Sequence, residues 1–279
     1  MTLSPPRYAL AEHRLRPRQD RVWTIFSVNV RLRGLRIFPL LLVGFGFVAT
    51  FVPLFLTELF STYGLSNGPS LASFYSAYNN LMLFIFTLLM SAVVGSGIIA
   101  DDLRTKSISL YLSRPITVLD YLVGKSGVVG ALLALLAILP GVLTAVLVGV
   151  LGYVSATVAA EAIGIYLGTG VLLVLVLTGF AVLLSSLTER KSFAGAGIFA
   201  VLLSLEIVAS VLYAATNQVS ALYLAPWEDI LSVARWGFGV STPGASLDPS
   251  VALSILIVLP VVLYGATYVR LRRLEVMTE

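Results

Sequence analysis

Ile98-Ile-Ala-Asp-Asp-Leu-Arg-Thr-Lys-Ser-Ile-Ser-Leu-Tyr-Leu-Ser-Arg-Pro-Ile-Thr-Val-Leu-Asp-Tyr-Leu-Val-Gly-Lys125 is the one long polar and charged insert between two strongly apolar segments. The neighbours, about Leu81–Ala100 and Val128–Val150, each have the roughly 20 apolar residues that a bilayer-spanning helix needs. The insert therefore reads as a loop at a membrane face. It carries Arg104, Lys106, Arg114 and Lys125 against Asp101, Asp102 and Asp120. Composition agrees with this reading. The chain is 58% hydrophobic and only 11% charged, where soluble domains carry about 25%, and its mean hydropathy is +0.97. Such a chain is an integral membrane protein.

Working outward, six spans are expected, at about Ile37–Thr57, Phe74–Ala100, Ser126–Leu151, Ala162–Leu187, Phe193–Thr216 and Val251–Val269. Pro140 should kink the third. The fold class is all-α: a polytopic membrane protein with a basic arm over 1–36, a six-helix domain over 37–269 and a tail over 270–279. The arm is too long and polar, and its first apolar run too long, for a signal peptide. From about Gln19, Val22, Trp23, Phe26 and Val30 recur at helical spacing between arginines. That pattern predicts an amphipathic helix in the bilayer surface, with Trp23 and Phe26 on its buried face. Between spans 5 and 6, the segment Asn217–Ser250 mixes Tyr223, Trp227, Trp236 and Phe238 with few charges, which suits short helices at the outer interface.

An even span count puts both termini on one side. Arms and loops on that side hold seventeen of the eighteen Lys and Arg residues, and the other side holds Arg235 alone. The positive-inside rule places both termini, the opening loop and Thr188-Glu-Arg-Lys-Ser192 in the cytoplasm of a multi-pass plasma-membrane protein. The basic balance thus belongs to a membrane surface, and no nucleic-acid partner is expected.

Most catalytic chemistries lack parts. There is no cysteine, hence no thiolate metal site, and His13 is the lone histidine. No Gly-x-Ser-x-Gly elbow occurs. Gly124-Lys125-Ser126 suggests a phosphate loop, but the position requiring the first glycine is Leu119, so ATP binding by this route is rejected. No catalytic residue and no metal site is expected, and the chain is not an enzyme on this reading. Glu206, in the middle of span 5, is the one acid near mid-membrane. A charge there costs roughly 2.5–3.5 kcal/mol on insertion scales. Two readings stay open for it: a group in a translocation path, or a hydrogen-bonded structural glutamate. Gly164-Ile-Tyr-Leu-Gly168 is a GxxxG that permits close helix packing.

The insert resembles the loop between spans 2 and 3 of ABC-2 type ABC transporter permeases. The residues that carry the resemblance are Asp101 or Asp102, Ser107, Leu112-Ser113-Arg114-Pro115 and Tyr121-Leu122-Val123-Gly124-Lys125. Two departures stand out: the acid is Asp rather than Glu, and no Arg follows Pro115. The resemblance implies a permease half that pairs with a second permease copy and with cytoplasmic ATPase subunits, which would hold ATP and Mg; no cofactor is expected in this chain. It also implies that the loop forms a coupling helix docked on the ATPase, with Asp101, Asp102, Leu103, Arg104, Lys106, Ile108, Tyr111, Leu112, Arg114 and Pro115 as the contact region. Glu189, Arg190 and Lys191 are a secondary contact.

The residues themselves are compatible with this. Asp102 can cap a short helix, Ile108, Tyr111 and Leu112 can share one face, and Pro115 can end it. Ile108, Leu110 and Leu112 equally fit strand alternation. The leading reading is a transporter subunit that couples ATP hydrolysis on partner chains to substrate movement. The alternative is a membrane scaffold that passes ATPase motion to an extracellular partner without moving a solute.

Overall fold

The computed structural model describes residues 23–24, 26–27, 37–64, 68–107, 117–240 and 247–276. Among these there is no strand. Six helical stretches are long and apolar enough to cross a bilayer. The first is α1 (Ile37–Thr62), which carries Pro53 internally. After a separate short α2 (Leu71–Tyr78), the second runs over Leu81–Arg104 as α3 (Leu81–Gly95) and a short α4 (Ala100–Arg104). The third is α5 (Val118–Ala137) followed by α6 (Leu139–Val150). Then come α7 (Ala156–Ser186) and α8 (Lys191–Thr216), a 3₁₀ helix (Val219–Leu224), α9 (Pro226–Gly237) and α10 (Pro249–Val276).

Local chemistry explains the boundaries. Thr117 starts α5 with a reciprocal capping box: its hydroxyl accepts from Asp120 N–H (3.2 Å), and Asp120 accepts from Thr117 N–H (3.3 Å). Pro140 sits in the first turn of α6, where its missing N–H costs nothing, and it separates α5 from α6 as expected. Asn217 ends α8 in the left-handed region at φ 52°.

The second span departs most from expectation. Asn80 interrupts it by capping α3 through Met82 N–H (2.8 Å) and donating to Ala49 O on α1 (3.3 Å). Tyr166 of α7 donates to Phe74 O (2.9 Å), which holds α2 in place. The last span also differs. The expected tail is helical through Val276, and Arg270 Nε donates to Ser186 O at the end of α7 (2.7 Å).

α7 is the axis of the bundle, and α2–α6 and α8–α10 all pack on it. At ~1.5 Å per residue its 31 residues exceed a hydrocarbon core of about 30 Å. Close approach rests on glycines other than the GxxxG pair. A Cβ on Gly141 would stand 2.7 Å from the Tyr166 ring, and one on Gly95 would stand 2.6 Å from Ala181, whereas Gly164 and Gly168 have nothing within 4 Å. The flanking spans α1, α8 and α10 leave Phe45, Phe55, Ile207, Val211, Val258 and Val261 exposed. Water would not tolerate so much apolar surface; lipid or another membrane helix would.

The segment before α10 is more enclosed than an interfacial pair of helices. The chain reverses after Asn217, runs back along α8 through the 3₁₀ helix, and begins α9 beside Glu206. Glu206 lies about 15 Å of helix rise short of the end of α8. Trp227, Asp229, Ile230, Leu231 and Ala234 of α9 are buried against the bundle, and Trp236 is exposed.

Candidate functional site

The root of the opening loop is a buried polar joint between three spans. After Gly95, residues 96–99 leave the helix, and α4 resumes at Ala100. Ser185 of α7 fits this break. Its hydroxyl accepts from Ile99 N–H (3.1 Å) and Ala100 N–H (3.0 Å) and donates to Ser96 O (3.1 Å). Ser185 is fully enclosed, so two backbone donors and one acceptor released by the break are all satisfied, as buried groups require.

The third span supplies the other attachment. Lys125 Nζ lies 2.7 Å from Asp102 Oδ2, with its side chain 3% exposed and that of Asp102 14%. Tyr121 donates its hydroxyl to the same oxygen at 2.6 Å. Lys125 Nζ also stands 5.7 Å from the centre of the Tyr121 ring. Asp102 is therefore not a helix cap: it lies inside α4, whose N-terminal flank is Ile99, and its charge is spent on α5. Lys125 is not a loop residue either. It lies well inside α5, so no loop backbone is available around Gly124 to cradle a phosphate.

The remaining expected contact residues divide. Asp101 faces Arg104 at 3.9 Å, on an exposed and weak i,i+3 pair. Leu103 is half-buried against the core. Arg104 and Lys106 are exposed, and Lys106 turns the chain in the left-handed region at φ 54°. Ile108, Tyr111, Leu112, Arg114 and Pro115 lie outside the described residues, as does the helix-or-strand question they raise. Glu189 and Arg190 are exposed in the short link from α7 to α8, and Arg190 stands 5.7 Å from the ring of Phe193. Lys191 opens α8. α4 touches both α7 and α8, so this link sits at the same end of the bundle as the loop root.

Trp23 and Phe26 are helical, with ring centroids 5.3 Å apart. Trp23 is exposed and Phe26 is half-buried, facing Gly127 one turn or less beyond the Lys125 joint. Most of the expected surface helix lies outside the described residues.

A second polar cluster lies toward the other end. Glu206 Oε1 accepts from Trp227 N–H at 2.9 Å. Its carboxylate thus takes the place of the missing side-chain cap at the start of α9, where the helix dipole favours negative charge. Glu228 and Asp229 occupy the same first turn. Asp229 is fully enclosed, and neither carboxyl oxygen has a hydrogen-bond partner among the described residues. Burial foremost, then the charges of Glu206 and Glu228, push its pKa up to about 8. Burial also raises Glu228, an effect opposed by Arg235. Arg235 itself is held by the Tyr75 hydroxyl, at 3.3 Å from Nε and 3.1 Å from Nη2. In the sequence Glu206 stands out as an acid within an apolar run. Asp229 was hidden because its enclosure comes from the packing of α9, not from an apolar run around it.

Six bilayer-length helical stretches among the described residues, with α7 central and a polar loop rooted in the bundle at the end where Arg104, Lys106, Arg190, Lys191 and Arg270 lie, define a polytopic membrane protein. The description "ABC-2 family transporter protein" fits residues 18–276, and the chain belongs to that family, as a membrane component of an ABC transporter. No curated protein matches it.

Proposed function

We propose that the chain is the permease half of an ATP-driven transporter, working with a second permease copy and with ATPase subunits on separate chains that carry ATP and Mg. The observation that carries the reading is the rooting of the loop. An exposed, positively charged turn at Arg104–Lys106 projects from α4, while the base of α4 is tied to α7 through Ser185 and to α5 through Lys125 and Tyr121. A push on such a loop is delivered to three spans at once rather than being absorbed by a flexible hinge. The gathering of Lys and Arg at this end supports its placement in the cytoplasm, with both termini. The little-covered faces of α1 and α8 offer surface for a second copy. Glu206, half-buried on α8, is a candidate for the translocation path, and Glu206→Gln should impair transport while sparing assembly.

The test is recovery of the chain from native membranes with its partners, compared between wild type and an Arg104→Glu/Lys106→Glu/Tyr111→Ala variant. The expected result is an ATP-binding-cassette ATPase that co-purifies with wild type and is depleted with the variant. ATP hydrolysis by the purified chain alone, or equal recovery of the ATPase with both proteins, refutes the proposal.

A further inference from the structure

We propose that Glu206 of α8 and Asp229 of α9 form a proton-binding carboxyl pair, with the proton carried by Asp229 while the two helices are packed together.

Solvation decides where the proton sits. Asp229 has no exposed surface and no donor for either oxygen among the described residues. An ionised carboxylate in that position would lack both water and a counter-ion, and burying such a charge is strongly unfavourable. The neutral acid avoids it. Glu206 differs: it is half-buried and accepts the Trp227 N–H at the start of α9, so its ionised form has a donor and a favourable dipole. Two neighbouring carboxyls in unequal surroundings divide their roles, one holding the charge and the other the proton.

The other titratable groups on the packed elements leave this division intact. Glu228 adds a further negative charge from the first turn of α9. Arg235, the cation on α9, is taken up by Tyr75. Tyr223 on the 3₁₀ helix accepts from Asp248 N–H (3.0 Å), and Asp248 itself caps the start of α10 through Ser250. Tyr166 on α7 donates to Phe74 O. A multidentate metal ion lacks ligands here, because no three His, Cys, Asp or Glu side chains converge suitably among the described residues. A proton needs only the pair.

The consequence is a linkage. Any step that parts α9 from α8 hydrates Asp229 and removes Glu206 from its side, so the proton is released at neutral pH. By reciprocity, raising the pH favours the parted arrangement. This holds whether or not the chain is driven by an ATPase, and its test does not depend on that reading.

The test is an infrared pH titration of the purified full-length chain in lipid nanodiscs, following the carbonyl-stretch band of protonated carboxyls. Wild type should show a band at neutral pH that disappears at alkaline pH, and Asp229→Asn should lack it. Glu206→Gln removes the neighbouring charge, so it should lose the Asp229 band at a lower pH than wild type. Identical wild-type and Asp229→Asn spectra at neutral pH overturn the proposal. So does a Glu206→Gln midpoint that is unchanged or raised, and this arm decides the matter if Asp229→Asn does not fold.

Discussion

Replacing Lys125 with Met tests the joint at the root of the loop. In the native chain the ammonium sits 2.7 Å from Asp102 Oδ2 with almost no solvent access. Met preserves most of the side-chain volume but leaves Asp102 with a single strong partner, the Tyr121 hydroxyl at 2.6 Å. Removing one member of a buried ion pair costs about 3–5 kcal/mol, because the remaining charge stays desolvated. Asp102 keeps 14% of its side-chain surface, so water offers partial relief and the lower end, about 3 kcal/mol, is expected. With a slope of roughly 2–4 °C per kcal/mol for a large domain, that is a drop of about 6–12 °C in Tm, readable by tryptophan fluorescence melts in detergent. Combining Asp102→Leu with Lys125→Met removes both charges and should recover most of the loss, since apolar packing can replace a buried pair at little net cost. A Lys125→Met Tm lowered by less than about 2 °C would place the pair in the class of exposed salt bridges, worth at most ~1 kcal/mol, and refute the joint. A double variant as unstable as the sum of the singles would refute the pairing itself.

Other expectations follow from single contacts. Ser185→Ala strands the N–H groups of Ile99 and Ala100 and should cost about 1–3 kcal/mol per unsatisfied buried group. In a reconstituted transporter it should lower transport more than ATP hydrolysis, and equal losses of both would argue against transmission through α7. Gly141→Ala drives a methyl into the Tyr166 ring and should cost about 1–3 kcal/mol. Gly164→Ala meets nothing and should be neutral or stabilising by about 0.5–1 kcal/mol; melts that reverse this order would refute the packing around α7. For Asp229 the sign is set by a pKa raised from 3.8 to about 8. Between those values the unfolded chain has lost the proton and the folded chain keeps it. Its contribution is therefore complete below about pH 4, declines as pH rises, and is gone above about pH 8. The melting temperature of wild type should fall more between pH 5 and pH 8 than that of Asp229→Asn, and parallel profiles would contradict the assignment.

Much of the fold was legible because membrane insertion is decided locally. A run of about 20 apolar residues spans a bilayer whatever its neighbours, so the six spans, the polar insert between the second and third, and the break at Pro140 could be read directly. Among the described residues, the gathering of Lys and Arg at one end, Arg235 apart, was legible for the same reason, since each charge is excluded from hydrocarbon on its own account.

What the tertiary structure decided is where polar groups inside the bundle find partners. Nothing in an apolar sequence marks Ser185 as the residue that satisfies a break eighty-odd positions earlier or distinguishes Lys125 from the surface basic residues beside it. Glu206 stood out as an acid in an apolar run. Its contact with the start of α9, and the enclosure of Asp229, exist only because the chain folds back along α8. Gly164 and Gly168 matched a packing motif and meet nothing within the chain, while Gly141 matched none and receives Tyr166. Hydropathy is close to a sum over residues. Desolvation of a charge or a backbone amide depends on which helix arrives beside it, and that is fixed only when the helices are assembled.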